Sequence, residues 1–197
     1  MSGKDEGKAW QVGLAELRVP PFQAKWESVG PKHPEWNDRI KLEIHALGKY
    51  IEFLRSENAR PWFYIKPDVK YKGVIWRGYI AIPSRLDCKF DLIIVLSGEY
   101  PRVMPKAFIE DSLIELAGAK IYVKNRFPTR QDPVTKQWEK DTETGKSFVM
   151  ICHDHMSEVQ GAWTPNLGIV HFFIREVWFW FAAMQNTILR EFQKRCS

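Results

Sequence analysis

The stretch LGIVHFFIREVWFWFAAM, residues 167–184, constrains this chain more than any other. It is apolar enough to demand burial. His171, Arg175 and Glu176 interrupt it, which argues against a membrane span and for a helix inside a protein core. Over the helix expected at 166–194, Ile169, Phe172, Phe173, Val177, Trp180, Phe181, Met184 and Ile188 recur at helical spacing and line one stripe. Such a helix needs a large surface to pack against. The 197 residues suffice for one compact domain with a sizeable core, and are too few to expect two. Nine Trp and twelve Phe supply a well-filled core or a sticky contact face.

The partner surface is legible upstream. Residues 34–55 predict a helix, with Pro34 in its first turn and Ile40, Ile44, Leu47, Ile51 and Leu54 on one face. PWFYIK, GVIWRGYIAI, CKFDLIIVL and KAFIE then read as four strands. Cys88, Phe90, Leu92, Ile94 and Leu96 alternate onto one face of the third. Pro67, Gly73, Pro83 and Gly98 punctuate the block with short turns, so an antiparallel meander is expected. DSLIELAGAKIYVKN is less regular. The polar segment 126–146 is expected to be an inserted arm or long hairpin near Cys152 that supplies no core. Its flanks, AKIYV and SFVMI, are apolar enough to pair as neighbouring strands. Residues 1–33 read as an N-terminal extension, in which Trp10, Leu14 and Leu17 share one face of a short helix ended by Pro20 and Pro21. The expected organisation is therefore an extension, 1–33, and one α+β domain, 34–197: helix, meander, cysteine segment, helix.

The formal net charge of +5 is spread among acids, without the basic run that a nucleic-acid reader concentrates on one face. A mildly basic surface suits an acidic protein partner. Three cysteines, Cys88, Cys152 and Cys196, at irregular spacing argue against a disulfide framework. The opening MSGKDEGKAWQVGL has no apolar signal region, and the expected compartment is the cytoplasm.

Cys152 follows the apolar SFVMI and precedes polar residues, at the exit of a core, where access and polarity favour a thiolate. His153 and His155 supply positive charge or hydrogen bonds. An isolated cysteine is more often a buried core residue. Other readings are a cysteine hydrolase pairing Cys152 with His155 or His171, though no glycine-rich nucleophile elbow is present, and a metal site from Cys152, His153, Asp154 and His155. Adjacent residues rarely converge on one ion, and no second pair lies at zinc spacing.

The context of Cys152 favours chemistry over core. ICHDH followed by WTPNL resembles the signature of the ubiquitin-conjugating enzymes: Ile-Cys, an acid two residues on, then Trp, a small polar residue, Pro and a helix start. Upstream, WRGYIAIP, FDLIIVL and YPRVMPKAFIED resemble that family's central strands and its Tyr-Pro…Pro turn, and the likeness extends over residues 36–195 in the right order. Two features depart from it. The family's His-Pro-Asn ahead of the cysteine is missing, and the nearest counterpart is Asn125 of YVKN, 27 residues before Cys152. The insertion 126–146 has no family counterpart. GAKIY is similar to the Thr-Ala-Lys-Met-Tyr of the ubiquitin-fold-modifier conjugating enzymes, a branch that also lacks His-Pro-Asn and carries Asp-His just after its cysteine. Asp154 and His155 match that pair with one residue fewer between. The whole resembles the divergent conjugating enzymes of bacterial or archaeal ubiquitin-like pathways.

The resemblance implies acyl transfer. A ubiquitin-like modifier would arrive from an adenylating activating enzyme, form a thioester on Cys152, and pass to a lysine of a target protein. No metal or nucleotide is implied at this site, because the activating enzyme has already spent the ATP; neither nucleic acid nor membrane is an expected partner. The chemistry needs a thiolate, an oxyanion donor, and a group that orients or deprotonates the amine. Cys152 fills the first role. Asn125 or His155 fills the second, and His155, oriented by Asp154, suits the third. Each has a plainer reading: Asn125 as a turn residue, His155 as a loop cap, Asp154 as a turn cap. Lys120 matches the branch's lysine or is a solvated surface residue. Trp163 and Pro165 are read as structural, and Tyr100, Pro101 and Pro105 as a turn. A member of the fold that binds a modifier without catalysis is the remaining alternative. The resemblance also implies that helix 34–55 faces the activating enzyme.

Overall fold

Strand β3 (Arg85–Val95) sets the two faces on which everything else packs. Cys88, Phe90, Leu92 and Ile94 are buried on one face, with Leu96 just beyond, and Ile93 is buried on the other. In the computed structural model, residues 19–82, 85–112, 123–127, 130, 133–137, 139–151 and 163–196 are described. Strands β1 (Phe63–Pro67), β2 (Ile75–Ile82), β3 and β4 (Lys106–Glu110) form the antiparallel meander that the turn residues predict. Two more strands, β5 (Val123–Phe127) and β6 (Phe148–Ile151), extend it to a six-stranded antiparallel sheet in the order β1-β2-β3-β4-β6-β5. The later strand takes the inner place for a physical reason. All four residues of FVMI are buried, which requires cover on both faces and neighbours on both sides. VKNRF carries polar residues suited to an edge.

The inner face of the sheet is covered by two helices. Helix α1 (Trp36–Ser56) matches the expected element and most of its expected face: Leu47 and Leu54 are buried and Ile40 and Ile51 pack against the core. Ile44 is 46 % exposed, while Trp36, Arg39, Glu43, Ala46, Leu47, Tyr50 and Leu54 are buried. The apolar count passes over Arg39 and Glu43, which are buried beside that face as an ion pair saturated with hydrogen bonds. Helix α2 runs over 169–196 as Ile169–Phe172, a π-helical turn Phe173–Val177, and Trp178–Cys196. Every residue of its predicted stripe from Ile169 to Ile188 is buried. The π turn widens the helix where Phe173 meets Phe63 (ring centroids 4.5 Å apart) and Trp62 (5.3 Å). No helix among the described residues is long and apolar enough to cross a membrane.

Two further segments are tied to this body. Residues 19–33 cross the start of α2. Phe22 N–H donates to Asn166 O (2.7 Å), and Val19 and Val29 are buried. Within 126–146, the return to β6 is clipped onto the outer face of the sheet. Arg77 of β2 binds the Asp141 carboxylate with two donors, each at 2.9 Å, and Asp68 with a third at 2.9 Å. Asp141 also accepts from Thr144 N (3.0 Å) and Oγ1 (2.9 Å), closing a tight loop in which Gly145 takes φ +68. Lys146 reaches Asp91 (2.6 Å) and Glu110 (2.8 Å).

Candidate active site

The chain approaches the cysteine segment along β6, whose last residue, Ile151, is 1 % exposed and immediately precedes Cys152. Opposite it, β5 is irregular. Val123 pairs with Ile151 and Arg126 with Val149, so Lys124 and Asn125 together oppose the single residue Met150. Two residues against one is a β-bulge, which re-aims side chains and terminates pairing. The 27 residues that separate Asn125 from Cys152 in sequence are thus closed by strand pairing. Cys152, His153, Asp154, His155 and Lys120 lie outside the described residues.

On the far side of the cysteine segment the chain is anchored at Trp163. Its indole N–H donates to Pro101 O (2.7 Å), and its ring lies 6.4 Å from Tyr100 and 6.5 Å from Phe172. The Tyr100–Pro101 turn thereby fixes the point where the chain leaves the cysteine segment, in keeping with the structural part expected of Tyr100, Pro101 and Trp163.

A buried polar network continues from there. Arg39 Nε donates to Glu43 Oε1 (2.9 Å), Nη1 to Trp26 O (2.8 Å), and Nη2 to Leu167 O (3.1 Å) and Tyr100 Oη (3.3 Å). Tyr100 O–H donates to Glu43 Oε1, and Ile169 N–H to Glu43 Oε2 (2.8 Å). The guanidinium lies over the Phe22 ring (4.5 Å) and near that of Tyr100 (5.5 Å). Gly168 is required here: a Cβ would come within 2.4 Å of Glu43 Oε2 and 2.5 Å of the Phe22 ring. Burial pushes the Glu43 carboxyl above its ordinary value against the pull of Arg39, and it holds the Tyr100 phenol well above its own. Removing one partner of such a pair strands a buried charge. The network therefore fastens α1, residues 19–33, the Tyr-Pro turn and the start of α2 to one point.

His171 is committed to the same frame. Its Nδ1 accepts from Gly168 N–H (3.0 Å), which leaves Nε2 to donate to Val19 O (3.0 Å). Burial lowers it to about 4, helped by nearby Arg175 and Arg39. With both ring nitrogens engaged, His171 is a structural histidine and not the base of a cysteine hydrolase. Arg39 and Glu43 did carry a sequence signal that the apolar count passed over. They stand four apart on the stripe Trp36, Arg39, Glu43, Leu47, Tyr50, Leu54, an acid and a base at the spacing of a helical ion pair.

Comparison with known proteins completes the description. The family model described as ubiquitin-fold modifier-conjugating enzyme 1 matches residues 17–143, well over half of the chain. The match takes in residues 19–33, α1 and β1 to β5, and ends ahead of β6 and Cys152. No curated protein matches the chain.

Proposed function

Because the chain belongs to the ubiquitin-fold modifier-conjugating enzyme 1 family, and is thus a ubiquitin-like-modifier conjugating enzyme in general, we propose that it carries the modifier as a thioester on Cys152. The observation that supports this reading most is the bulge. β6 delivers Ile151, buried, to the edge of the core directly before Cys152, and Asn125 lies in the facing bulge of β5.

The steps follow from acyl-transfer chemistry. The Cys152 thiolate attacks the carbonyl of the modifier's C-terminal thioester on an adenylating activating enzyme. The activating enzyme's thiolate leaves with its electron pair, and a new thioester remains. A lysine amine of a target protein then attacks the same carbonyl. The Cys152 thiolate leaves, and the amine's proton passes to a base. The oxyanion formed at each step needs a donor fixed in advance, and the amide of Asn125 suits that part. His155 is the base, with an unperturbed pKa near roughly 6.5 that fits proton uptake at neutral pH, and Asp154 orients it. Binding the modifier, the activating enzyme and the target lysine belongs to the same proposal.

The test is a charging reaction with activating enzyme, ATP and modifier. An adduct that thiol reductant cleaves and that Cys152→Ala abolishes supports the reading. An adduct that persists in Cys152→Ala contradicts it.

A further inference from the structure

A groove of about 450 Å³ opens between residues 19–26 and α1. The half-buried rings of Phe22 and Trp26 form one wall, and Leu42 and Ala46 of α1 the other. Lys25, His45 and Lys49, all exposed, stand at its rim, and the Lys25 ammonium lies 4.9 Å from the centre of the Trp26 ring. Among the described residues, no acidic side chain lines it. The wall of residues 19–26 is fixed at three points. His171 Nε2 donates to Val19 O (3.0 Å), Phe22 N–H to Asn166 O (2.7 Å), and Arg39 Nη1 to Trp26 O (2.8 Å). The groove is therefore preformed, and a ligand that enters it has no wall to order.

Apolar walls under a charged rim are the make-up of a protein-docking site. We propose that this groove docks an acidic segment of another protein. The segment sets large apolar side chains between Phe22, Trp26, Leu42 and Ala46, and places carboxylates against Lys25 and Lys49. The walls supply the affinity, since burying aromatic surface is the main source of binding energy in such sites. The rim selects the sign of the partner. It repels a basic segment, and a neutral apolar ligand leaves both ammonium groups unused. Leu42, Ala46 and Lys49 lie on one ridge of α1, four and three residues apart. A helical segment laid along that ridge meets two apolar side chains and then a cation. Ile44, the exposed isoleucine of α1, is two residues from both Leu42 and Ala46 and so projects from the opposite side of the helix. The inference concerns this groove alone and stands apart from the role of Cys152.

The experiment uses the full chain, methyl-labelled at leucine, isoleucine and alanine. It is titrated with a synthetic amphipathic helical peptide of leucine and glutamate, and with its counterpart in which lysine replaces each glutamate. The glutamate peptide is expected to shift the Leu42 and Ala46 methyls, and the lysine peptide to leave them in place. In Lys25→Glu/Lys49→Glu the preference should invert. The glutamate peptide should bind at least about tenfold more weakly than to wild type, and the lysine peptide should now shift the same methyls. Equal affinity of the glutamate peptide for the two proteins, or shifts centred on Ile44, overturns the proposal. Failure of the full chain to bind the glutamate peptide also overturns it, and cross-peaks between differently labelled copies would then give the groove to a second copy.

Discussion

Val123 of β5 stands opposite Ile151 of β6, one residue before Cys152, and the next pair along, Arg126 with Val149, leaves Asn125 inside a bulge. That strand pair closes the 27 residues of sequence between Asn125 and Cys152, and in the function proposed above Asn125 takes the part of the missing His-Pro-Asn asparagine. Replacing Asn125 with Ala should slow discharge of the charged enzyme to free lysine by about 100-fold, the cost of losing one oxyanion donor. Single-turnover discharge measures this. An unchanged rate in a folded Asn125→Ala protein assigns Asn125 to the turn alone.

The Arg39–Glu43 pair makes a stability prediction. Both side chains are fully buried, and each is saturated by partners from other segments. Glu43→Ala should cost on the order of 3–5 kcal/mol, since it leaves the Arg39 guanidinium buried and unpaired. The double change Arg39→Met/Glu43→Leu should cost much less than the sum of the two single changes. Urea unfolding of the four proteins tests this, and additive losses would show that the two residues act separately.

His171 predicts the direction of acid sensitivity. Its folded value, about 4, lies below the ordinary 6.5 because burial disfavours the imidazolium. Its contribution is therefore present above pH 6.5 and is lost as pH falls towards 4, amounting to on the order of 3 kcal/mol once pH is well below that. The raised Glu43 carboxyl works in the opposite direction near its own range, because folding favours its protonated form. The His171 part is isolated by comparing wild type with His171→Gln between pH 7 and 4. Wild type should lose more stability over that interval, and parallel curves would contradict the assignment.

The clip between Arg77 and Asp141 divides the inserted segment into a part that can be removed and a part that cannot. Glu139 N–H already donates to Arg130 O (3.0 Å), so an Asn-Gly link in place of 131–138 should leave the melting temperature within a few degrees. Asp141→Ala should cost about 1–3 kcal/mol, because it unpairs two donors of the half-buried Arg77. Thermal unfolding of both variants checks this; a tip deletion that unfolds the domain would show that 131–138 belongs to the core.

Much of this architecture is legible in the residues. The Cys88 to Leu96 alternation fixed an inner sheet face, and the Ile169 to Ile188 stripe fixed the helix on it, because both periods are set by burial against one partner. Apolar spacing found Ile40, Leu47, Ile51 and Leu54 on the core side of α1 but not Ile44's exposure or the burial of Arg39 and Glu43, whose partners Trp26, Tyr100, Leu167 and Ile169 come from elsewhere in the chain. The order of β5 and β6 likewise depends on which strand is buried on both sides. At the site, Asn125 was named from a family pattern it does not fit. The pairing of Val123 with Ile151 and of Arg126 with Val149 places so distant a residue beside Met150 of β6.

The most direct measurement is the mass of the charged enzyme, followed by peptide mapping under non-reducing conditions. The account predicts one modifier per chain, lost on treatment with thiol reductant and located on the peptide that contains Cys152. In Cys152→Ser the adduct should resist reductant, as an ester does. A modifier found on Cys88, on Cys196 or on a lysine, with Cys152 free, would contradict the account.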